Sequence, residues 1–336
     1  MYHDHVAEEL TETLEQDTEA QDASAARLHI ETWSPEYGAP LDTTEEVVSG
    51  PIDCQVETSD WSPRPPSLEG CPNKVAFVDG VRRIEARLTL DHPDDGPVPG
   101  LMAAFGVGYV EWDRAGRRSS IDGIEVERML VMAGGYRVGL DTGPRFPISF
   151  ESVPGDDPSE LISHLQRRMR SAETALVHRL AGPDRLVIAD GPIREVWPDH
   201  IVGYIKTHHV MYLGKTERPI IGRLRAGQRS PLFLIETRLP RYSWYLRLAD
   251  LIGGHSWTGI VRGEVAAAMG IDQAVRTADW ATGLLPGLAS EGHLDPRAPQ
   301  NLVPIGALER DLRRNLGDPG LTVRALRAAV RELMAA

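Results

Sequence analysis

Two short, unbroken apolar runs stand out along the chain. Val75-Ala76-Phe77-Val78 is closed by Asp79-Gly80, and Leu186-Val187-Ile188-Ala189 is closed by Asp190-Gly191-Pro192. Runs of this length with turn formers at the end predict buried strands. Between them the period changes. Arg83 to Leu90 alternates, with Ile84, Ala86, Leu88 and Leu90 on one side, and predicts a half-exposed strand; Leu101 to Trp112 predicts a third strand and completes an antiparallel meander. Glu125 to Leu140 adds strand, interrupted at Gly134-Gly135. A helix then opens with Asp157 as N-cap, Pro158 at N1 and Glu160 at N3, and stops at Gly182-Pro183. Along it Ala172, Leu165, Leu176, Met169, Ile162 and Leu180 fall in one stripe about 80° wide. Further strands are expected at Ile201–Tyr204, Leu232–Glu236, Ser243–Leu248 and Trp257–Val265, and helices at 270–288, 304–316 and 321–335.

The first 72 residues read differently. Residues 1–25 are polar and acidic, and either form a short helix around Val6 to Leu14 or stay disordered. Residues 34–72 are rich in proline and turn formers and predict an irregular wrap. The folded body is therefore expected from about Lys74, giving an acidic, Pro-rich extension over 1–72 and a domain over 73–336.

Charge sharpens this division. The 336 residues carry a formal net charge of -13, which on its face argues against a phosphate-seeking surface. Residues 1–60 hold 16 acids against one base, Arg27, which leaves +2 for the rest of the chain. The acidic segment reads as a solubilising tail or, alternatively, as a cover over a nucleic-acid path. Two cysteines make no disulfide framework, and no apolar run is long enough to span a membrane, so a cytoplasmic protein is expected. A P-loop, a His-Glu-x-x-His motif and a Gly-x-Ser-x-Gly elbow are all lacking; in Gly254-His255-Ser256-Trp257-Thr258-Gly259 the second glycine comes one position late.

The candidate chemistry lies where the strands stop. Period-two counting puts Asp79 on the face of Val75 and Phe77, and Asp190 on the face of Leu186 and Ile188. Each carboxylate continues an apolar face, which is costly without compensation, although Asp-Gly after a strand also serves simply to turn the chain. Glu173 projects from the edge of the buried helical stripe, either as a snorkelling surface group or toward the strand ends. Three converging carboxylates raise one another's pKa, and divalent cations relieve this; hard oxygen ligands suit Mn²⁺ or Mg²⁺. Two ions in such a site activate water and stabilise the leaving oxygen of a phosphodiester. The order strand-Asp, meander, helix-Glu, strand-Asp is that of an RNase H-like nuclease, an α/β fold with a mixed sheet flanked by helices.

The chain resembles the NurA nucleases, an RNase H-like family. The matching pieces are Phe77-Val78-Asp79-Gly80, Arg170-Ser171-Ala172-Glu173, Ile188-Ala189-Asp190-Gly191-Pro192 and Val202-Gly203-Tyr204-Ile205-Lys206, over about residues 74–315. The resemblance implies a DNA nuclease acting in repair, end processing or defence. Asp79, Glu173 and Asp190 would be its metal ligands, holding two manganese or magnesium ions. It also implies a ring-like homodimer and a HerA-type hexameric ATPase as partner. Two departures stand: Val81 replaces the family's usual Ser, and the late Tyr-Pro…His motif is not in register. The fourth site residue is expected to be His293, with Asp295 and Glu309 as alternatives. Lys206 is expected to hold a phosphate or else to be a surface lysine. The rival reading is a non-catalytic subunit of the same fold that binds DNA or the ATPase. His208 and His209 face opposite ways in an extended segment and are expected to be structural, and Tyr242-Ser243-Trp244-Tyr245 is expected to be a core or dimer strand before a base-stacking one.

Overall fold

The computed structural model describes residues 27–30 and 50–335, apart from 141, 144–145, 196, 198–199, 209, 251–256 and 294–296. The expected Val6–Leu14 helix, His209, Asp295 and residues 254–256 of the Gly254–Gly259 stretch lie outside the described residues.

The chain is an α/β protein with a large mixed sheet flanked by helices. Its strands are β1 (Arg27–Ile30), β2 (Ile52–Asp53), β3 (Lys74–His92), β4 (Gly96–Asp113), β5 (Arg118–Met132), β6 (Ser149–Ser152), β7 (Arg185–Asp190), β8 (Ile201–Ile205), β9 (Phe233–Ile235), β10 (Arg241–Arg247) and β11 (Ile260–Ala266). The longer helices are α1 (Pro158–Leu180), α2 (Ile271–Leu284), α3 (Val303–Asn315) and α4 (Pro319–Ala335). The sheet order is β2-β9-β10-β11-β8-β7-β3-β4-β5-β6, with β1 added to β3. β3, β4 and β5 form the antiparallel meander; β7 joins β3 in parallel and β8 joins β7 in parallel.

Both faces of the central strands are covered, and the alternation of β3 assigns them. Ala76 and Val78 pack with Leu165, Met169, Leu176 and Val177 of α1 and with Leu326 and Val330 of α4. Val75 and Phe77, with Leu186 and Ile188 of β7, pack on the other face with Ala278 and Ala281 of α2 and Leu308 and Leu312 of α3. The stripe expected on α1 is the stripe that is buried, and Asp157 caps the helix by accepting the Ser159 N–H at 2.8 Å.

Two expectations are corrected. The two strands predicted over Val75–Gly80 and Arg83–Leu90 are one continuous strand, β3. Asp79-Gly80 does not turn: Asp79 pairs with Gly108 and Gly80 with Val107, and the strand runs on through a bulge at Glu85. What ends near Asp79 is the parallel neighbour, since β7 pairs with β3 only from Lys74 to Val78. β1 rejoins the same edge at Leu88 to Asp91, so β3 has no strand neighbour on this side between Asp79 and Arg87 among the described residues. The boundary at residue 72 also fails. β2 pairs with β9, the segment bridges at Arg64 to Arg229, and Glu57 forms a bidentate pair with Arg229 at 2.9 and 3.0 Å while accepting the Leu232 N–H. Arg229 is buried, so Glu57 is its counter-ion and not part of a solvated tail.

Candidate active site

The gap left where β7 stops is the mouth of a cleft of about 610 Å³. Asp79, Glu173, Asp190 and Lys206 all line it, together with Gln166, Arg170, Arg194, Tyr204, Arg297 and Gln300. The three carboxylates arrive from three elements, and Lys206 follows directly on β8. Asp79 comes from β3 and Asp190 from the last position of β7, on the sheet face covered by α2 and α3. Glu173 comes from α1 on the opposite face and reaches the same point past Gly80. A Cβ on Gly80 would lie 2.6 Å from Glu173 Oε1 and 3.2 Å from Met169 Cγ. The glycine is therefore needed for close approach of the carboxylate, not for a turn.

The second Asp-Gly does turn. Gly191 has φ +98°, its N–H donates to the Tyr204 carbonyl at 2.8 Å, and its carbonyl packs 2.9 Å from where a Cβ on Gly203 would stand. The next segment is tied down by Ile193 N–H donating to Glu264 Oε2 at 3.2 Å. Asp190 thus sits on a chain reversal fixed from two sides.

The carboxylates are not equally compensated. Asp190 Oδ2 pairs with Lys206 Nζ at 2.7 Å, and Lys206 also donates to Asn301 Oδ1 at 3.1 Å. Asp190 Oδ1 is buried with no hydrogen-bond partner. Burial raises the Asp190 pKa, against the pull of Lys206. Asp79 has no ion-pair partner among the described residues; its Oδ1 accepts the Gly80 N–H at 2.8 Å. Burial, then the charges of Asp190 and Glu173, push it well above the usual carboxylate range. Glu173 is pushed up to about 7, by burial first and Asp190 second, while Arg194, Arg170 and the Gly80 N–H oppose the shift. Lys206 remains a cation: burial works to lower its pKa, but Asp190 and Asp79 outweigh burial and raise it.

A fourth carboxylate faces this group, and it is Glu309 of α3. Its charge reaches Asp79, Asp190 and Lys206. Arg297 holds it by a bidentate pair at 2.9 and 2.8 Å, which outweighs burial and keeps it below the usual range. The expectation for His293 is corrected. Its side chain is 69% exposed, lies 3.4 Å from Glu291 and does not line the cleft. His293 sits in a surface turn, whereas α3 is packed on β3 and β4 and delivers Glu309 to the carboxylates.

Of the remaining motifs, His208 and the Tyr242–Tyr245 segment lie within the described residues. His208 contacts the Ile260 carbonyl at 3.1 Å and lies against Trp257 and Tyr245. Trp244 and Tyr245 are fully buried in the sheet and are not presented for base stacking. Several cleft residues carried no signal that was read from the sequence. Gln300, whose carbonyl accepts from the Tyr204 hydroxyl at 2.6 Å, and Asn301, which accepts from Lys206, are brought in by the chain entering α3. Gln166 and Arg170 were legible in principle, because they precede Glu173 by seven and three positions on one helix face.

The donor set fits a hard divalent cation: carboxylate oxygens, one of them buried and unpartnered. The placement is looser than a closed site. Among the described residues no three His, Cys, Asp or Glu side chains form a group arranged to hold a metal ion. Side-chain movement, including release of Asp190 by Lys206, would be needed to close around one. No family model matches the chain, and no curated protein matches it.

Proposed function

We propose that the chain is a divalent-cation-dependent nuclease that hydrolyses phosphodiester bonds of DNA, with an RNase H-like core. The observation that carries the reading is the convergence of Asp79, Glu173 and Asp190 from three elements, with no ion pair to Asp79 or Glu173 among the described residues. The strand arrangement supports it: an antiparallel meander β3-β4-β5 followed by β7 and β8 added in parallel beside β3 is what an RNase H-like core requires. In this reading Asp79, Glu173 and Asp190 would hold Mn²⁺ or Mg²⁺. The cation, when bound, would lower the pKa of attacking water and stabilise the leaving oxygen. Lys206 would leave Asp190 for a non-bridging phosphate oxygen, and Asn301 would keep its ammonium aimed into the cleft. Hydrolysis then adds the water oxygen to phosphorus, breaks the bond to the leaving strand oxygen and returns a proton to that oxygen.

The NurA resemblance supports DNA as substrate and adds a homodimer and a HerA-type hexameric ATPase as partners; these stand on the resemblance alone. Among the described residues no helix is long and apolar enough to cross a membrane. A second reading, a non-catalytic DNA-binding or ATPase-binding subunit, is favoured by one observation: the Lys206–Asp190 pair occupies a carboxylate oxygen that a metal would need. One experiment separates them. Purified protein is incubated with end-labelled single-stranded DNA and Mn²⁺, Mg²⁺ or EDTA, with and without the ATPase. Cleavage with a divalent cation and none in EDTA is expected; no cleavage with either metal in either setting sinks the nuclease reading.

A further inference from the structure

The α1 face that carries Glu173 holds two more polar groups in the cleft, and neither is used by the chemistry above. Gln166, Arg170 and Glu173 follow one another at spacings of four and three residues, so all three side chains project from one side of the helix. All three line the cleft.

Gln166 is 8% exposed, and its Oε1 is buried with no hydrogen-bond partner. A buried carboxamide atom left unpaired is expensive, and native proteins rarely retain one without a partner for it. Arg170 is partly buried and, among the described residues, makes no hydrogen bond or ion pair; its one interaction is the long-range pull of its charge on Glu173. Elsewhere in the cleft the cations are engaged, Lys206 with Asp190 and Arg297 with Glu309. An unpaired guanidinium and an unpaired buried amide, one helical turn apart, therefore sit beside the carboxylates.

We propose that Gln166 and Arg170 form a nucleotide subsite next to the scissile position. Arg170 takes the phosphate adjacent to the one being hydrolysed, with the fork geometry that suits a phosphate. Gln166 hydrogen-bonds a polar group of the nucleoside attached to that phosphate. The ligand class is one nucleotide unit of a polynucleotide strand, since neither an isolated phosphate nor an apolar diester supplies both contacts. The arrangement rests on the nuclease reading for its place in a reaction, but the binding itself does not need cleavage.

The test uses the full chain and the variants Arg170→Met, Arg170→Lys and Gln166→Met, all checked for an unchanged unfolding transition. Binding of a short fluorescent single-stranded oligonucleotide is read by anisotropy in EDTA at fixed low salt. Arg170→Met is expected to weaken binding about tenfold, with Arg170→Lys recovering part of the loss, and Gln166→Met to weaken it about fivefold. Cleavage with Mn²⁺ is then compared for the oligonucleotide and for bis(p-nitrophenyl) phosphate, which has no nucleoside. Gln166→Met is expected to lower kcat/KM for the oligonucleotide at least about fivefold more than for the small diester, mainly through KM. Equal losses on both substrates, or unchanged anisotropy in both Met variants, overturn the subsite. Failure of the parent protein to cleave either substrate with Mn²⁺ or Mg²⁺, with and without the ATPase, sinks the nuclease reading alone, because the anisotropy arm still decides the subsite.

Discussion

Two buried charge clusters are linked by the turn that follows Asp190, and they are built on opposite plans. Around Glu264, a fully buried carboxylate is bracketed by two buried arginines: Arg241 Nε lies 3.0 Å from Oε1, and Arg262 also pairs with Oε1. Oε2 accepts the Ile193 N–H, and Arg262 stacks 4.5 Å over the Tyr212 ring. Around Asp79, the proportions are reversed: carboxylates converge and, among the described residues, two of them have no ion-pair partner. The first cluster spends its charges on holding strands β10 and β11 and the turn after Asp190. The second leaves charge unsatisfied at the mouth of a cleft. Compensation marks a structural role, and its lack marks a place where an outside cation or substrate can contribute binding energy.

Substitutions should separate the two plans. The largest effect is expected from Asp79→Asn or Asp190→Asn on metal-dependent DNA cleavage, a loss on the order of 10³-fold or more, equivalent to about 4 kcal/mol in barrier. Asp79→Asn should leave urea stability equal or higher, because it removes a carboxylate that burial and its neighbours already disfavour. Full activity in either variant would end the metal assignment. Glu264→Gln is the mirror experiment: two buried arginines lose their counter-charge, and unfolding free energy should fall by roughly 3–5 kcal/mol. A loss under about 1 kcal/mol would show that the two clusters are not the opposites described here.

Titration gives the next contrast. Glu173 has its folded-state pKa raised to about 7 from 4.5. Between those values the folded protein keeps a proton that the unfolded chain has lost, so folding is penalised progressively as pH rises from about 4.5 to about 7, and fully above that. In EDTA the parent should therefore lose stability over this window, and Glu173→Gln should lose less, ending about 2 kcal/mol ahead at pH near 8. Saturating Mn²⁺ should narrow the difference by favouring the ionised carboxylate. Identical pH profiles for parent and variant in EDTA would falsify this account of Glu173.

The sequence was informative about periodicity and poor about continuity. Alternation assigned the faces of Asp79 and Asp190, and helical spacing assigned the buried stripe of α1, because burial imposes those periods directly. It could not distinguish two glycines that look alike in context. Gly80 continues an extended strand and Gly191 reverses the chain, and the difference lies in what packs on each: the Glu173 carboxylate on one, the Gly203 backbone on the other. Glu57 was likewise read with an acidic tail because its partner Arg229 is distant in sequence. The same blindness to long-range pairing hid the Asn301–Lys206 contact.

The smallest expected effect concerns the fourth group, where short-range and long-range signals disagreed. His293 is a titratable group of the right chemistry in about the right part of the chain, but it is exposed beside Glu291. Glu309 lies one helix later, buried, held by Arg297 and within electrostatic reach of Asp79, Asp190 and Lys206. His293→Ala should change cleavage by less than about twofold, as an exposed side chain outside the cleft does. Glu309→Gln should do more, since it frees Arg297 toward Asp190 and removes a negative charge facing Lys206; a several-fold fall in kcat with a smaller change in KM is the expected split. A larger loss from His293→Ala than from Glu309→Gln would return the fourth place to the histidine. It would also imply that the turn at 291–293 folds onto the cleft when DNA is bound, bringing to the carboxylate cluster a group that the fold alone leaves outside it.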